Sequence, residues 1–221
     1  MKLQHLILAS ALTAGLAACS DSGTAVATTG ERSSFELAND HAVGSADAPV
    51  TVVEYASVTC SHCANWSNTV YPAFKEKYVD TGKVRYVFRE FPTPPEALAD
   101  AGFMIANCAD DKRAGAFMDN VKLQFERQAD ILRTAQLAPD QLRDQYVYLA
   151  KEGGLSEEEM EACLADQTVR EDYITKVQSG LDAGITGTPA FLVNGEKVKA
   201  FTLEDFDDAI ANATGGTAPE G

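Results

Sequence analysis

Cys60 and Cys63 are separated only by Ser61 and His62. On a helix that spacing brings two thiols one turn apart, within reach of a disulfide that can close and reopen by exchange. Exchange runs through a thiolate. A helix N-terminus favours one, because its unpaired N–H groups and its macrodipole stabilise an anion on the first residue. Cys60 would then be the attacking sulfur, and Cys63 would resolve the mixed disulfide. His62 adds an imidazole that can hydrogen-bond to the Cys60 thiolate or support it electrostatically, stabilising the reduced form.

Two other positions bear on this chemistry. Glu54 interrupts the apolar run Val50-Thr51-Val52-Val53-Glu54-Tyr55, ahead of the cysteines. A carboxyl buried in a central strand is costly and has its pKa raised. Under a dithiol it could take and return the proton of the resolving thiol. The competing reading turns Glu54 to solvent from a half-exposed strand. Thr188-Pro189 opens a second apolar run. Pro189 cannot donate to a sheet ladder, and a cis bond there would expose a backbone edge. The competing reading is a Pro that simply starts a strand.

To place the sulfurs this way, a strand must lead into Cys60 and a helix must leave it. Residues 50–55 are β-branched and of strand length, and Trp66, Val70 and Phe74 recur at helical spacing up to about Tyr78, with a kink expected at Pro72. After Thr81-Gly82 the stretch 84–89 alternates as a second strand, completing a parallel βαβ unit. Residues 96 to about 183 lack strand character. They divide into helical segments at 96–110, 113–128, 139–152, 156–165 and 168–182, with a capping-box pattern at Ser156 and Glu159. Residues 190–193, the hairpin signal Asn194-Gly195 and residues 196–200 give two further strands. A helix over 202–213 closes the chain, and 35–37 suggests a short edge strand. The expected class is α/β: βαβ, a helical block, then ββα.

The chain has 221 residues, 45% hydrophobic and 23% charged, enough for one good-sized domain or a small one carrying an insertion. Its 18 Lys and Arg face 33 Asp and Glu, for a formal net charge of -15. That balance repels a phosphate backbone and argues against nucleic acid as a partner. Nothing in the chain calls for a cofactor.

Lys2 and the apolar stretch up to Ala18 read as an export signal over residues 1–18, too short for a membrane span. Leu16-Ala17-Ala18-Cys19 resembles a bacterial lipobox, in which Cys19 becomes a lipidated N-terminus. Plain cleavage near Ala17 or Ala18 is the competing reading. Residues 19–34, rich in Ser, Thr, Gly and Ala, read as a flexible tether. Export implies the bacterial periplasm or cell envelope, an oxidising compartment where disulfides are allowed. If Cys60 pairs with Cys63, Cys108 is left with Cys163; two buried free thiols are the alternative. Structural zinc is disfavoured, since beyond the signal there is one close cysteine pair and only His41 and His62.

Four pieces, in order over roughly residues 40–213, resemble the DsbA family of bacterial periplasmic dithiol oxidases, in the thioredoxin superfamily. They are Gly44-Ser45-Ala46-Asp47-Ala48-Pro49, Val52-Val53-Glu54-Tyr55, Cys60-Ser61-His62-Cys63 and the run from Gly187 through Thr188-Pro189 to Asn194-Gly195. The resemblance implies a thioredoxin fold over 35–95 and 184–214, with an inserted all-helical domain at 96–183. It implies a cis Thr188-Pro189 bond facing the dithiol, Cys60 as nucleophile and Cys63 as resolver. The partners it implies are cysteine-containing exported proteins and a membrane redox partner, a quinone-linked oxidase or a reductase. Ser61 stands where Pro is often found, and Thr188 where strong oxidases carry Val and isomerase-like relatives carry Thr. A Cys108–Cys163 disulfide is similar to the second disulfide of some alphaproteobacterial members.

The expected function is therefore an extracytoplasmic thiol–disulfide oxidoreductase, working as a dithiol oxidase. Two rival readings stand beside it. One is a disulfide isomerase or reductase of the same fold. The other is a lipoprotein that grips a soft metal such as Cu(I) through Cys60, His62 and Cys63. In each, the membrane is touched only through a lipid on Cys19.

Overall fold

The computed structural model describes residues 35–215. The expected export signal, the tether and lipidation at Cys19 lie outside the described residues. Within them, the run rich in Val becomes β2 (Val50–Ala56), buried at every position. Together with β1 (His41–Val43), β3 (Val84–Glu90), β4 (Ala190–Val193) and β5 (Glu196–Val198) it forms a sheet in the order β1-β3-β2-β4-β5. β2 is parallel to β3, and β4 lies antiparallel on its other side with Tyr55 opposite Ala190 and Val52 opposite Val193. A strand covered on both faces has no polar side, which is why β2 reads as continuously apolar apart from Thr51 and Glu54.

Between β2 and β3 run α1 (Ser61–Thr69) and α2 (Tyr71–Phe74), followed by a π-helical turn at Lys75–Val79. Pro72 falls in the first turn of α2, so the helix restarts there instead of kinking in its interior. Between β3 and β4 lie α3 (Glu96–Lys112), α4 (Ala116–Leu137), α5 (Leu142–Glu152), α6 (Glu157–Ala165) and α7 (Gln167–Asp182); α8 (Leu203–Ala213) closes the fold. The capping box expected at α6 is present, with Ser156 accepting from Glu159 N–H and Glu159 accepting from Ser156 N–H.

Two further expectations change. The edge strand is at His41–Val43, antiparallel to β3, not at 35–37. Residues 35–40 are tied to the sheet by ion pairs instead, Glu36 to Arg85 (2.9 Å) and Asp40 to Arg89 (2.6 Å). And α4 runs past 128 to Leu137, because nothing from Gln128 to Leu137 breaks a helix; Pro139 follows its end.

Side chains alternate across β2. Val52 and Ala56 meet an aromatic cluster of Trp66, Phe74, Tyr86, Phe191 and Phe206 on one face. Val53 and Tyr55 pack with Val87, Ile185 and Leu192 on the other. On that second face α7 approaches closely at Gly180, where an added Cβ would lie 2.7 Å from the Phe91 ring. A separate core joins Ile105, Ile131, Leu149 and Met160 of the inserted helices.

Cys108 of α3 and Cys163 of α6 are disulfide-bonded inside that core, with Cα atoms 6.2 Å apart and a sequence separation of 55. Closing a loop of that length removes about 4 kcal/mol of chain entropy from the unfolded state. The double variant Cys108→Ala/Cys163→Ala should therefore lose about 2–4 kcal/mol of stability in urea unfolding under oxidising conditions. Its Cys60 should alkylate at the parent rate. An unchanged urea midpoint would refute the disulfide's contribution.

Candidate active site

Where β2 ends, residues 57–59 turn the chain into α1 and Cys60 becomes the helix N-cap. Its φ of -83° and ψ of 119° are extended, and its sulfur accepts a hydrogen bond from Cys63 N–H at 3.4 Å. An N-cap acceptor satisfies a donor that has no partner within the helix, and the same donor stabilises the sulfur as an anion. Cys60 is half-buried and Cys63 fully buried, and both are free thiols.

The antiparallel register of β4 carries its preceding residues beyond the end of β2, towards this turn. The Thr188-Pro189 bond is cis, and Cys60 Sγ donates to Thr188 O at 3.3 Å. Loss of the Cys60 proton ends that donation. Thr188 Oγ1, buried and with no partner among the described residues, is the hydroxyl available to donate to the sulfur instead.

These contacts hold the Cys60 pKa down at about 5. The Cys63 thiol, donating to the Cys60 sulfur, lowers it most; partial burial opposes the shift, and the Thr188 hydroxyl and the N–H groups of Cys63 and His62 add to the lowering. Cys63 is driven the other way, well above a free thiol, by burial first, then by that same bond and the charges of Glu54 and Cys60. The two sulfurs are thus set far apart in acidity.

Glu54 is 1% exposed and faces the Trp66 side of the sheet. Tyr86 Oη donates to its Oε2, while Oε1 has no hydrogen-bond partner among the described residues. Burial is the main reason its pKa rises to about 8; the Tyr86 hydrogen bond pulls against it and the Cys60 charge pushes with it. The carboxyl is therefore mainly protonated at pH 7.

His62 lends the Cys60 sulfur its backbone N–H. Its side chain is exposed and lines a groove of about 440 Å³ with Asn65, Trp66, Gly187, Thr188, Pro189 and Phe201. Cys60, His62 and Cys63 do not converge as ligands: among the described residues no three His, Cys, Asp or Glu side chains could hold a metal ion. His41 is remote from Cys60 in sequence and in contacts. It stacks on Phe117 with ring centroids 3.5 Å apart and hydrogen-bonds Asn107 and the buried Lys176.

Some contributors lie outside the motifs. Gln128 of α4 donates from Nε2 to Val58 O (2.8 Å) and Cys60 O (3.0 Å), fixing the turn from the inserted helices. Thr59 donates to Thr93 O (2.7 Å), and Ser57 accepts from Thr93 N–H (3.1 Å). A trace of this was in the sequence: Asn120, Gln124 and Gln128 recur every fourth residue among the apolar positions of α4, and all three are buried. Tyr86 and Phe201 carry no such trace.

A dithiol whose first sulfur caps a helix opposite a cis-proline loop, on this sheet order, defines a thioredoxin-type site. The family model described as thioredoxin matches residues 36–212, and the chain belongs to that family. A Rickettsia typhi protein whose name assigns it provisionally to the protein-disulfide oxidoreductases is 34% identical over 176 residues, 79% of this chain and 62% of its own. A similarly named Rickettsia bellii protein is 31% identical over 181 residues, 79% of this chain and 64% of its own. The chain thus spans less than two thirds of these relatives' length. The crystal structure of alpha-DsbA1 from Wolbachia pipientis is 26% identical with a TM-score of 0.69, covering 81% of this chain and 93% of that one. Oxidised BdbD from Bacillus subtilis shares the fold, with a TM-score of 0.68 at 23% identity over 80% of this chain and 94% of its own. Within its family the chain is DsbA-like.

Iodoacetamide alkylation of the reduced protein should titrate with a midpoint near pH 5 at Cys60, and Cys63 should stay unreactive through neutral pH. Thr188→Val should move the Cys60 midpoint upward, since it removes a donor to the anion. A Cys60 midpoint at the free-thiol value would overturn this account of the site.

Proposed function

We propose that the chain is a thiol–disulfide oxidoreductase that passes the Cys60–Cys63 disulfide to cysteine-containing exported proteins, acting as a dithiol oxidase. The observation that carries this is the helix-capping Cys60 sulfur and its lowered pKa. A depressed pKa stabilises the ionised, reduced form. That contribution is complete above the pKa of an unfolded thiol and disappears as pH falls through about 5. At neutral pH it shifts the balance towards the reduced form and so makes the disulfide more oxidising.

In the proposed cycle a substrate thiolate attacks Cys60 Sγ. The Cys60–Cys63 bond breaks, Cys63 leaves with the electron pair, and neutral Glu54 supplies the proton that this buried sulfur needs. A second substrate thiolate then attacks the substrate sulfur of the mixed disulfide. Cys60 leaves as a stable thiolate, and the substrate departs with the disulfide. The groove beside Thr188 and Pro189, with exposed Phe201 at its edge, would hold the substrate chain extended.

Residues 35–95 with 184–214 act in this reading as the redox domain, and 96–183 as an inserted domain that fixes the turn through Gln128. Among the described residues no helix is long and apolar enough to cross a membrane. The sequence signal at 1–18 supports a place in the periplasm or envelope, and Cys19 would supply the anchor. Reoxidation falls to a membrane redox partner.

Equilibration in glutathione buffers tests the direction. A reduction potential at or above that of glutathione, with turnover of a reduced peptide, supports the oxidase; one near thioredoxin's supports a reductase and overturns it. Cys60→Ser should abolish turnover, and Cys63→Ala should accumulate a Cys60–glutathione mixed disulfide, formed when the Cys60 thiolate attacks oxidised glutathione of the buffer and releases one glutathione thiolate. Oxidase turnover should fall as pH rises through about 8, where Glu54 loses the proton it donates. Glu54→Gln should slow single-turnover exchange by roughly a hundredfold and erase that pH limb. A variant with the parent rate and profile would remove Glu54 from the proton transfer.

A further inference from the structure

Between the sheet and α4 lies a cavity of about 560 Å³, formed by residues other than those lining the groove beside Cys60. Tyr71, Phe88, Met118 and Phe125 give it apolar and aromatic walls, and Glu54 and Tyr86 line it from the sheet. Its size is that of a small-molecule site, and such sites pair apolar walls with a few fixed polar groups. Here the fixed polar group is Glu54. One carboxyl oxygen takes the Tyr86 hydroxyl, and the other, Oε1, is buried without a partner among the described residues.

We propose that this cavity binds a small phenol-type molecule, an aromatic body bearing one hydroxyl, with the hydroxyl hydrogen-bonded to Glu54 Oε1. Tyr86 already donates to Oε2, so a protonated Glu54 carries its hydrogen on Oε1 and needs an acceptor. An ionised Glu54 needs a donor at the same atom. A hydroxyl serves both states; a carbonyl or an ammonium serves one. Anionic ligands meet no free cation at the lining. Lys75, Arg113 and Lys122 are engaged by Asp80, Asp119 and Glu126. The aromatic walls favour a flat ring that can stack or meet them edge-on. The cavity shares Glu54 with the proposed proton transfer to Cys63, but binding there does not depend on the direction of thiol exchange.

Titration of the full chain with 2-naphthol and with naphthalene, followed by methyl NMR at Met118 and Val121, tests it. Saturable shifts at those methyls, and binding of 2-naphthol roughly fivefold or more tighter than naphthalene, are expected for one gained hydrogen bond. Glu54→Leu should abolish the preference, and Glu54→Gln, whose amide both donates and accepts, should keep it. Met118→Trp, which fills the cavity from a partly exposed position, should abolish binding of both probes while Cys60 alkylates at the parent rate. Equal affinity of the two probes, shifts confined to the Thr188 methyl in the groove beside Cys60, or no saturation by about 1 mM would each overturn the proposal.

Discussion

The site depends on one hydrogen-bonding constraint: the N-terminus of α1 has donors that its own helix cannot satisfy, and the Cys60 sulfur is the acceptor placed to take them. A serine at an N-cap would do the same for helix stability. A sulfur does so while remaining ionisable near neutral pH, so the capping interaction is stronger in the thiolate than in the thiol or the disulfide. The β2-to-α1 turn, the Thr188 loop and Gln128 all act to keep that sulfur in the capping position. Gln128 holds the carbonyls of Val58 and Cys60, and the antiparallel register of β4 brings Thr188 within 3.3 Å.

The same geometry forces asymmetry on the pair. Cys63 lies one turn inward, where burial raises its pKa, and its proton lies against the Cys60 sulfur. Glu54 lies on the same face of β2 and is also held neutral by burial. Two buried groups that each resist ionisation can exchange a proton at little electrostatic cost, since the charge moves between similar environments without being created in a new one. Two ionised groups in that space would repel each other: the Glu54 charge raises the Cys63 pKa, and the Cys60 charge raises that of Glu54.

How much of this was legible in the sequence follows from range. Strand β2, the dithiol turn, the α6 capping box and the Asn194-Gly195 hairpin are set by neighbours within a few residues; Asn194 and Gly195 do take positive φ values of 48° and 84°. The burial of Glu54 could be anticipated because Val52, Val53 and Tyr55 leave no polar face. The edge strand could not be, because the choice between 35–37 and His41–Val43 rests on Arg85 and Arg89, far along the chain, drawing Glu36 and Asp40 into ion pairs. The placing of His62 also depended on direction: in an exposed first turn its side chain lines the groove, while its N–H supports the sulfur. Gln128 and Tyr86 act on residues dozens of positions away, which spacing alone does not reveal.

The inserted helices are coupled to the sheet by polar contacts as well as by packing. Lys176 of α7 is 1% exposed and reaches Glu90 of β3 at 2.8 Å, Asn107 of α3 at 3.0 Å and His41 of β1 at 2.9 Å. Burying such a pair gains little net stability over apolar side chains of equal volume, because desolvation offsets most of the attraction. What it enforces is orientation. An ammonium with three donors tolerates few rearrangements of α3, α7 and β3 that leave its partners in reach, whereas an apolar contact would tolerate sliding. Since α4 packs on α3 and carries Gln128 to the Cys60 carbonyl, a fixed seating of the insertion on the sheet also fixes the turn in which the Cys60 sulfur caps its helix.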